Sequence, residues 1–159
     1  MKVLIAGVAL MLAGHTAVLA DPADSRYQIM EEGAVVFDSE TGLYWGRCSV
    51  GQQLVDDYCA GRANRYTWDQ ANGLDSELPE NGEWRLPTVE ELQTLVEYRV
   101  FNPAIDPEAF PNTPPSNFWS SSEAAYDAFY AWTVHFANGF SNWRHKRQRF
   151  EVRLVRDGE

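Results

Sequence analysis

The first twenty residues decide how much of this chain has to fold: Lys2 is followed by an apolar run of twelve, Val3 to Gly14, and Val18-Leu19-Ala20 precedes Asp21-Pro22. A short positive start, an apolar stretch and small residues at the end form a secretory signal with cleavage expected after Ala20. A membrane anchor is the competing reading, but the run is shorter than the ~20 residues that cross a bilayer. The sequence therefore divides into a signal at 1–20, a polar tether at 21–32 and one domain at 33–156. With no cysteine near the cleavage site to carry a lipid, the expected location is the periplasm or the exterior, with no membrane span after cleavage. A mature chain of 139 residues is long enough for one domain with a real core.

Export also fixes the reading of Cys48 and Cys59, the only cysteines. In an oxidising compartment they are read as one local disulfide. The alternative is half of a zinc site, yet zinc takes four ligands at short spacings and no matching His or Cys pair follows.

Charge excludes whole classes of partner. Residues 21 to 143 hold six arginines and no lysine against twenty carboxylates, whereas residues 144 to 156 hold six basic residues against Glu151 alone. Nucleic acids and anionic membrane surfaces attract a broad positive field, so a nucleic-acid role is not expected.

Local patterns then sketch the domain. Residues 34–38 and 43–45 flank Ser39-Glu40-Thr41-Gly42 as a hairpin. Thr67-Trp68-Asp69-Gln70 and Thr88-Val89-Glu90-Glu91 are capping boxes, and each opens an apolar stripe: Trp68, Ala71, Leu74 and Leu78, then Val89, Leu92, Leu95 and Val96. Asn81-Gly82 turns into a short strand, Glu83 to Pro87. Five prolines between 101 and 117 forbid helix and any central strand, leaving an ordered loop or a floppy insertion. Strands are expected at 118–122, 131–136, 140–144 after Ala137-Asn138-Gly139, and 150–154, the last with Phe150, Val152 and Leu154 inward and Glu151 and Arg153 outward. The fold class expected is α+β, two amphipathic helices packed on a mainly antiparallel sheet.

Five motifs occur in order: Asp38 to Trp45; Thr67-Trp68 with Ala71; Trp84-Arg85-Leu86-Pro87-Thr88 with Glu91-Leu92; Phe118-Trp119-Ser120-Ser121-Ser122; and Val152 to Arg156. Together they resemble the bacterial family named for the C-terminal domain of Lcl-type collagen-like adhesins, over roughly Gly33 to Arg156. The resemblance implies a C-type-lectin-like fold near the formylglycine-generating enzymes and phage tropism proteins. It also implies adhesin-like binding of sulfated glycosaminoglycans and assembly as a trimer. No Gly-X-Y tract precedes the domain in this sequence, so multivalency through a collagen stalk is not expected.

The candidate ligand surface is Trp143, Arg144, His145, Lys146, Arg147 and Arg149, because guanidinium forks match sulfate and carboxylate and an indole face can stack on a sugar ring. The bland alternative is that these charges offset the surrounding acid and guard an edge strand. Trp84, Arg85, Pro87, Thr88, Trp119 and Ser120 read as architectural, with Arg85 a hydrogen-bonded structural arginine. No sugar-bridging calcium is expected, since neither its loop nor its Trp-Asn-Asp strand occurs. No cofactor or metal is expected either. The cysteine pair lies too early for the related oxidising enzymes, His135 and His145 are the only histidines of the mature chain and His135 sits on the polar side of a strand that could equally face solvent, and adjacent pairs such as Asp56-Asp57 and Glu90-Glu91 point apart or into solvent, so no catalysis is expected. The reading is therefore a binding module for polysaccharide. The alternative is an assembly subunit that docks on an exported protein through Tyr126, Phe129 and Tyr130. Self-association is left open.

Overall fold

The computed structural model describes residues 25–74 and 84–158. The signal, the first tether residues, Leu78 and the Asn81-Gly82 turn lie outside the described residues. The described chain is mostly β, with nine strands and two short helices. In order they are β1 (Tyr27–Met30), β2 (Val35–Asp38), β3 (Leu43–Gly46), β4 (Gln53–Val55), β5 (Tyr58–Ala60), α1 (Trp68–Ala71), α2 (Val89–Gln93), β6 (Asn117–Glu123), β7 (Tyr130–His135), β8 (Phe140–His145) and β9 (Val155–Arg156). They form three antiparallel sheets, ordered β1-β2-β3-β9, β4-β5 and β6-β7-β8.

This overturns the α+β expectation of two amphipathic helices packed on a mainly antiparallel sheet. Both capping boxes are present, each threonine hydroxyl accepting from the third residue's N–H while that residue's side chain reaches back. The helices they open are four and five residues long. After α1 the Asn72 side chain donates to the Trp68 carbonyl at 3.0 Å and Gly73 tightens the turn onto Gln70 at 3.1 Å. After α2, Leu95 and Val96 continue as tight turns, and Glu97 then bonds to Ala104. Of the expected apolar positions among the described residues, Ala71, Leu74, Val89, Leu92 and Leu95 are buried and Trp68 and Val96 half-buried, by turns as much as by helix.

The closing run also departs from its expected form. Glu151 and Arg153 are as buried as Phe150, Val152 and Leu154. Only Val155–Arg156 is strand, while Phe150 bridges Tyr66, Glu151 bridges Phe118 and Val155 bridges Arg85. The run stitches separate sheets together instead of lying with one face in solvent. The Trp84–Pro87 segment shrinks to that single bridge at Arg85, because Pro87 has no N–H for a ladder. Two short features escaped the pattern reading: the β4-β5 hairpin, for which no strand was expected, and β1, inside the segment expected as a tether.

Burial on both faces explains the long apolar stretches. Neighbours along a strand point to opposite faces. Val36, Trp45, Phe118 and Val155 accordingly enter one core cluster with Leu92, Ile105, Phe110, Val134 and Phe136, while Val35, Trp119 and Leu154 enter a second with Trp84, Phe150 and Val152. The proline-rich segment is the ordered alternative: Ala104, Ile105 and Phe110 are buried, and Ala104 donates to the Phe136 carbonyl at 2.6 Å. The Cys48–Cys59 disulfide is formed, with Cα atoms 5.3 Å apart, and pins the β4-β5 hairpin.

Candidate functional site

The β7-β8 hairpin builds the candidate site. Gly139 closes it with a φ of +79°, and a Cβ there would lie 2.3 Å from Val96 Cγ1, so glycine satisfies both the turn and the approach to α2's exit. The register places Trp143 opposite Trp132 and His145 opposite Tyr130. Directly opposed residues share a face, so these four side chains lie on one surface of the hairpin. Tyr130 meets the Trp143 ring edge-on at 5.0 Å and His145 at 5.3 Å, while Phe129 stacks over His145 at 6.2 Å with planes 10° apart. Trp143 remains 54% exposed and Phe129 65% exposed.

The structure does not gather the predicted basic residues into one patch. Arg144 alternates to the opposite face from Trp143 and His145, paired across the ladder with Ala131. Lys146 turns inward. Its ammonium sits 4.0 Å over the Trp68 ring and 2.7 Å from Glu123, leaving its side chain 16% exposed. It fastens the end of β8 to α1 and is a structural cation. Arg147 and Arg149 project from the exposed turn that follows; the turn is held by the Gln148 N–H to the His145 carbonyl at 2.8 Å and the Arg147 N–H to His145 Nδ1 at 3.2 Å. Among the described residues Arg144, Arg147 and Arg149 have no ion-pair partner, and Arg149 makes only a long 3.4 Å bond to the Arg65 carbonyl. The other two basic residues of this stretch are committed. Arg156 pairs with Glu31 and stacks on Tyr44 and Trp84. Arg153 is fully buried, donates to the carbonyls of Gly46 and Arg47 and the hydroxyls of Ser49 and Thr113, and lies 4.8 Å over Phe110. Burial pushes its guanidinium down to about 9, still protonated at neutral pH.

Arg85 of the Trp84–Thr88 motif is hydrogen-bonded to two carboxylates. Its guanidinium forks onto Glu91 at 2.8 and 2.7 Å and reaches Asp157 at 2.8 Å, tying α2 to the end of the chain. That fork holds the Glu91 carboxyl below the usual range, with the Thr88 N–H assisting and burial opposing. Pro87 accepts from the Ser121 N–H at 2.7 Å, Trp119 donates to the Tyr66 carbonyl at 2.8 Å, and the Ser120 hydroxyl donates to the Trp132 carbonyl at 2.8 Å. These contacts bind β6 to the segments that lead into α1 and α2 and to β7.

Sequence reasoning did not place Tyr130 and Phe129 in this site. The alternation of Tyr130 and Trp132 against Trp143 and His145 about the Ala137-Asn138-Gly139 turn carried that signal. A cavity of about 600 Å³ lies elsewhere, lined in part by Arg26, Tyr27, Leu95, Glu97, Arg99 and Glu108. Arg26 is already forked onto Asp38, and Arg99 onto Glu97, so it offers an anion no free guanidinium. His135 and His145 each spend Nδ1 on a backbone N–H. Among the described residues no group of three or more His, Cys, Asp or Glu could hold a metal ion, and no helix is long and apolar enough to cross a membrane.

Fold and site together define a class: a disulfide-pinned, mostly β domain that presents an aromatic hairpin face beside unpaired arginines. The chain belongs to the Lcl C-terminal domain family, whose model matches residues 34–156. No curated protein matches it.

Proposed function

We propose that this chain is an exported, non-catalytic binding module that recognises an anionic polysaccharide through the ring face of the β7-β8 hairpin. The observation that carries the reading is the Phe129, Tyr130, Trp143 and His145 cluster, with Phe129 and Trp143 exposed, on a hairpin that carries Arg144 on its other face and Arg147 and Arg149 in the turn that follows, all three without an ion-pair partner among the described residues of an otherwise acidic chain. Rings of this kind rarely stay exposed in clusters without a partner. Sulfate and carboxylate groups fit the guanidinium fork. The signal segment and the disulfide fit a chain that works in the periplasm or outside the cell.

The test is binding to immobilised dextran sulfate and to plain dextran across a salt series, for the wild type and for R144S/R147S/R149S with Lys146 kept. Selective binding that weakens with salt and is lost in the triple variant supports the proposal. Equal retention on both matrices, or none at low salt, refutes it. A second reading, an assembly subunit docking on another exported protein, is favoured by a different observation: Tyr126 is fully exposed beside Phe129.

A further inference from the structure

The phase of the β7-β8 ladder determines which backbone groups of β8 are spent. Gly139 donates to the His135 carbonyl at 2.8 Å and Lys146 to the Phe129 carbonyl at 2.9 Å, so the even-numbered residues Asn142 and Arg144 bond to β7. Ser141, Trp143 and His145 therefore turn N–H and C=O away from the hairpin. His145 is capped from outside, its N–H donating to Gln148 Oε1 at 3.2 Å and its carbonyl accepting the Gln148 N–H at 2.8 Å. Ser141 and Trp143 have no backbone partner on that side among the described residues. β8 is the edge of its sheet, whereas β6 is bridged on its far side by Glu151.

Most proteins protect such an edge with a bulge, a proline or a covering loop. Here it runs between exposed Phe140 and Trp143 and ends in Arg144, Arg147 and Arg149, none of them ion-paired among the described residues. We infer that the outer edge of β8 takes an extended acidic segment of a partner protein as an added strand. Backbone bonds to Ser141 and Trp143 would set the register, and carboxylates on the incoming strand would meet the arginines. Charge selects this occupant over a second copy, which would bring another basic strand to a basic strand. The contact shares the three arginines with the polysaccharide reading but adds backbone bonds along the strand edge, so methylation of the peptide and Ser141→Pro test it separately from polysaccharide binding.

Ser141→Pro is the direct test. Its N–H points outward, so proline removes one edge donor and leaves the β7 ladder whole. Ser141→Ala controls for the hydroxyl, which donates to Gln93 Oε1 at 3.0 Å. The probe is a blocked synthetic peptide alternating glutamate and threonine, with the same peptide N-methylated at alternate residues, measured by calorimetry on the purified protein. The inference expects the unmethylated peptide to bind and to weaken about tenfold or more on methylation or with Ser141→Pro, with dextran sulfate binding unchanged. Equal binding of both peptides to the wild type would mean charge alone and would overturn it, a comparison that stands even where the proline variant fails to fold. So would no peptide binding. So too would sedimentation of the wild type as a dimer that Ser141→Pro makes monomeric, since the edge would then belong to a second copy.

Discussion

Replacing Glu91 by Gln tests whether the Arg85 fork, and not the helix itself, holds α2 in place. The Glu91 carboxylate accepts from Arg85 Nη1 and Nη2 at 2.8 and 2.7 Å and from the Thr88 N–H at 2.8 Å. A helix of five residues has little stability of its own. Gln keeps one acceptor for Thr88 but loses the charge and one of the two oxygens facing Arg85. Charged hydrogen bonds contribute about 1.5–3 kcal/mol when buried. The Arg85 side chain is 35% exposed and that of Glu91 22%, so solvent screening reduces the expected cost to about 1–2 kcal/mol. Glu91→Ala also empties the capping box and should cost about 1 kcal/mol more. The pH dependence gives the sharper check. The fork to Arg85 depresses the folded carboxyl's pKa. Its contribution is therefore complete above the unfolded value of about 4.3 and disappears as pH falls through the lower folded value. Urea unfolding should show a gap between wild type and Glu91→Gln at about pH 7 that narrows by about pH 3. A gap independent of pH, or no gap at neutral pH, would refute the assignment of stability to this ion pair.

Three further changes separate structural from ligand-facing residues. Cys48→Ser with Cys59→Ser releases a loop of sequence separation 11 and should lower stability by about 3 kcal/mol on the chain-entropy account, read as a fall in the urea midpoint without loss of dextran sulfate binding. Lys146→Met removes the Glu123 pair and the charge over Trp68; a half-exposed partner keeps the cost near 1 kcal/mol, and polysaccharide affinity should stay within about twofold. A larger loss of affinity would make Lys146 a ligand contact. Arg153→Met leaves the Gly46 and Arg47 carbonyls and two hydroxyls without their donor in a fully buried site, so thermal and urea unfolding should register about 3–5 kcal/mol; a change within about 1 kcal/mol would show that those acceptors repair themselves.

What the sequence made legible was local, and what it hid depended on distant partners. The two threonine caps, the Ala137-Asn138-Gly139 turn and the 48–59 bridge each depend on a few adjacent residues and one compartment, and each is found. Helix length was not legible, because nothing near Thr94 announces that the chain must turn back to bond Ala104. Alternation failed at 150–154 for a physical reason: it assumes one wet face, and this run is covered on both, so Arg153 and Glu151 are buried with their apolar neighbours. The same blindness affected the site. Trp143 and His145 could be assigned to one face by counting, but Lys146 could not be removed from the ligand set, since its partners Trp68 and Glu123 belong to other elements. The basic stretch is better understood by what each cation already touches than by its density. Lys146, Arg153 and Arg156 hold the fold, and Arg144, Arg147 and Arg149 are left over. A ligand can recruit only the second set. Salt dependence of binding should therefore track those three arginines, although six basic residues lie in the stretch.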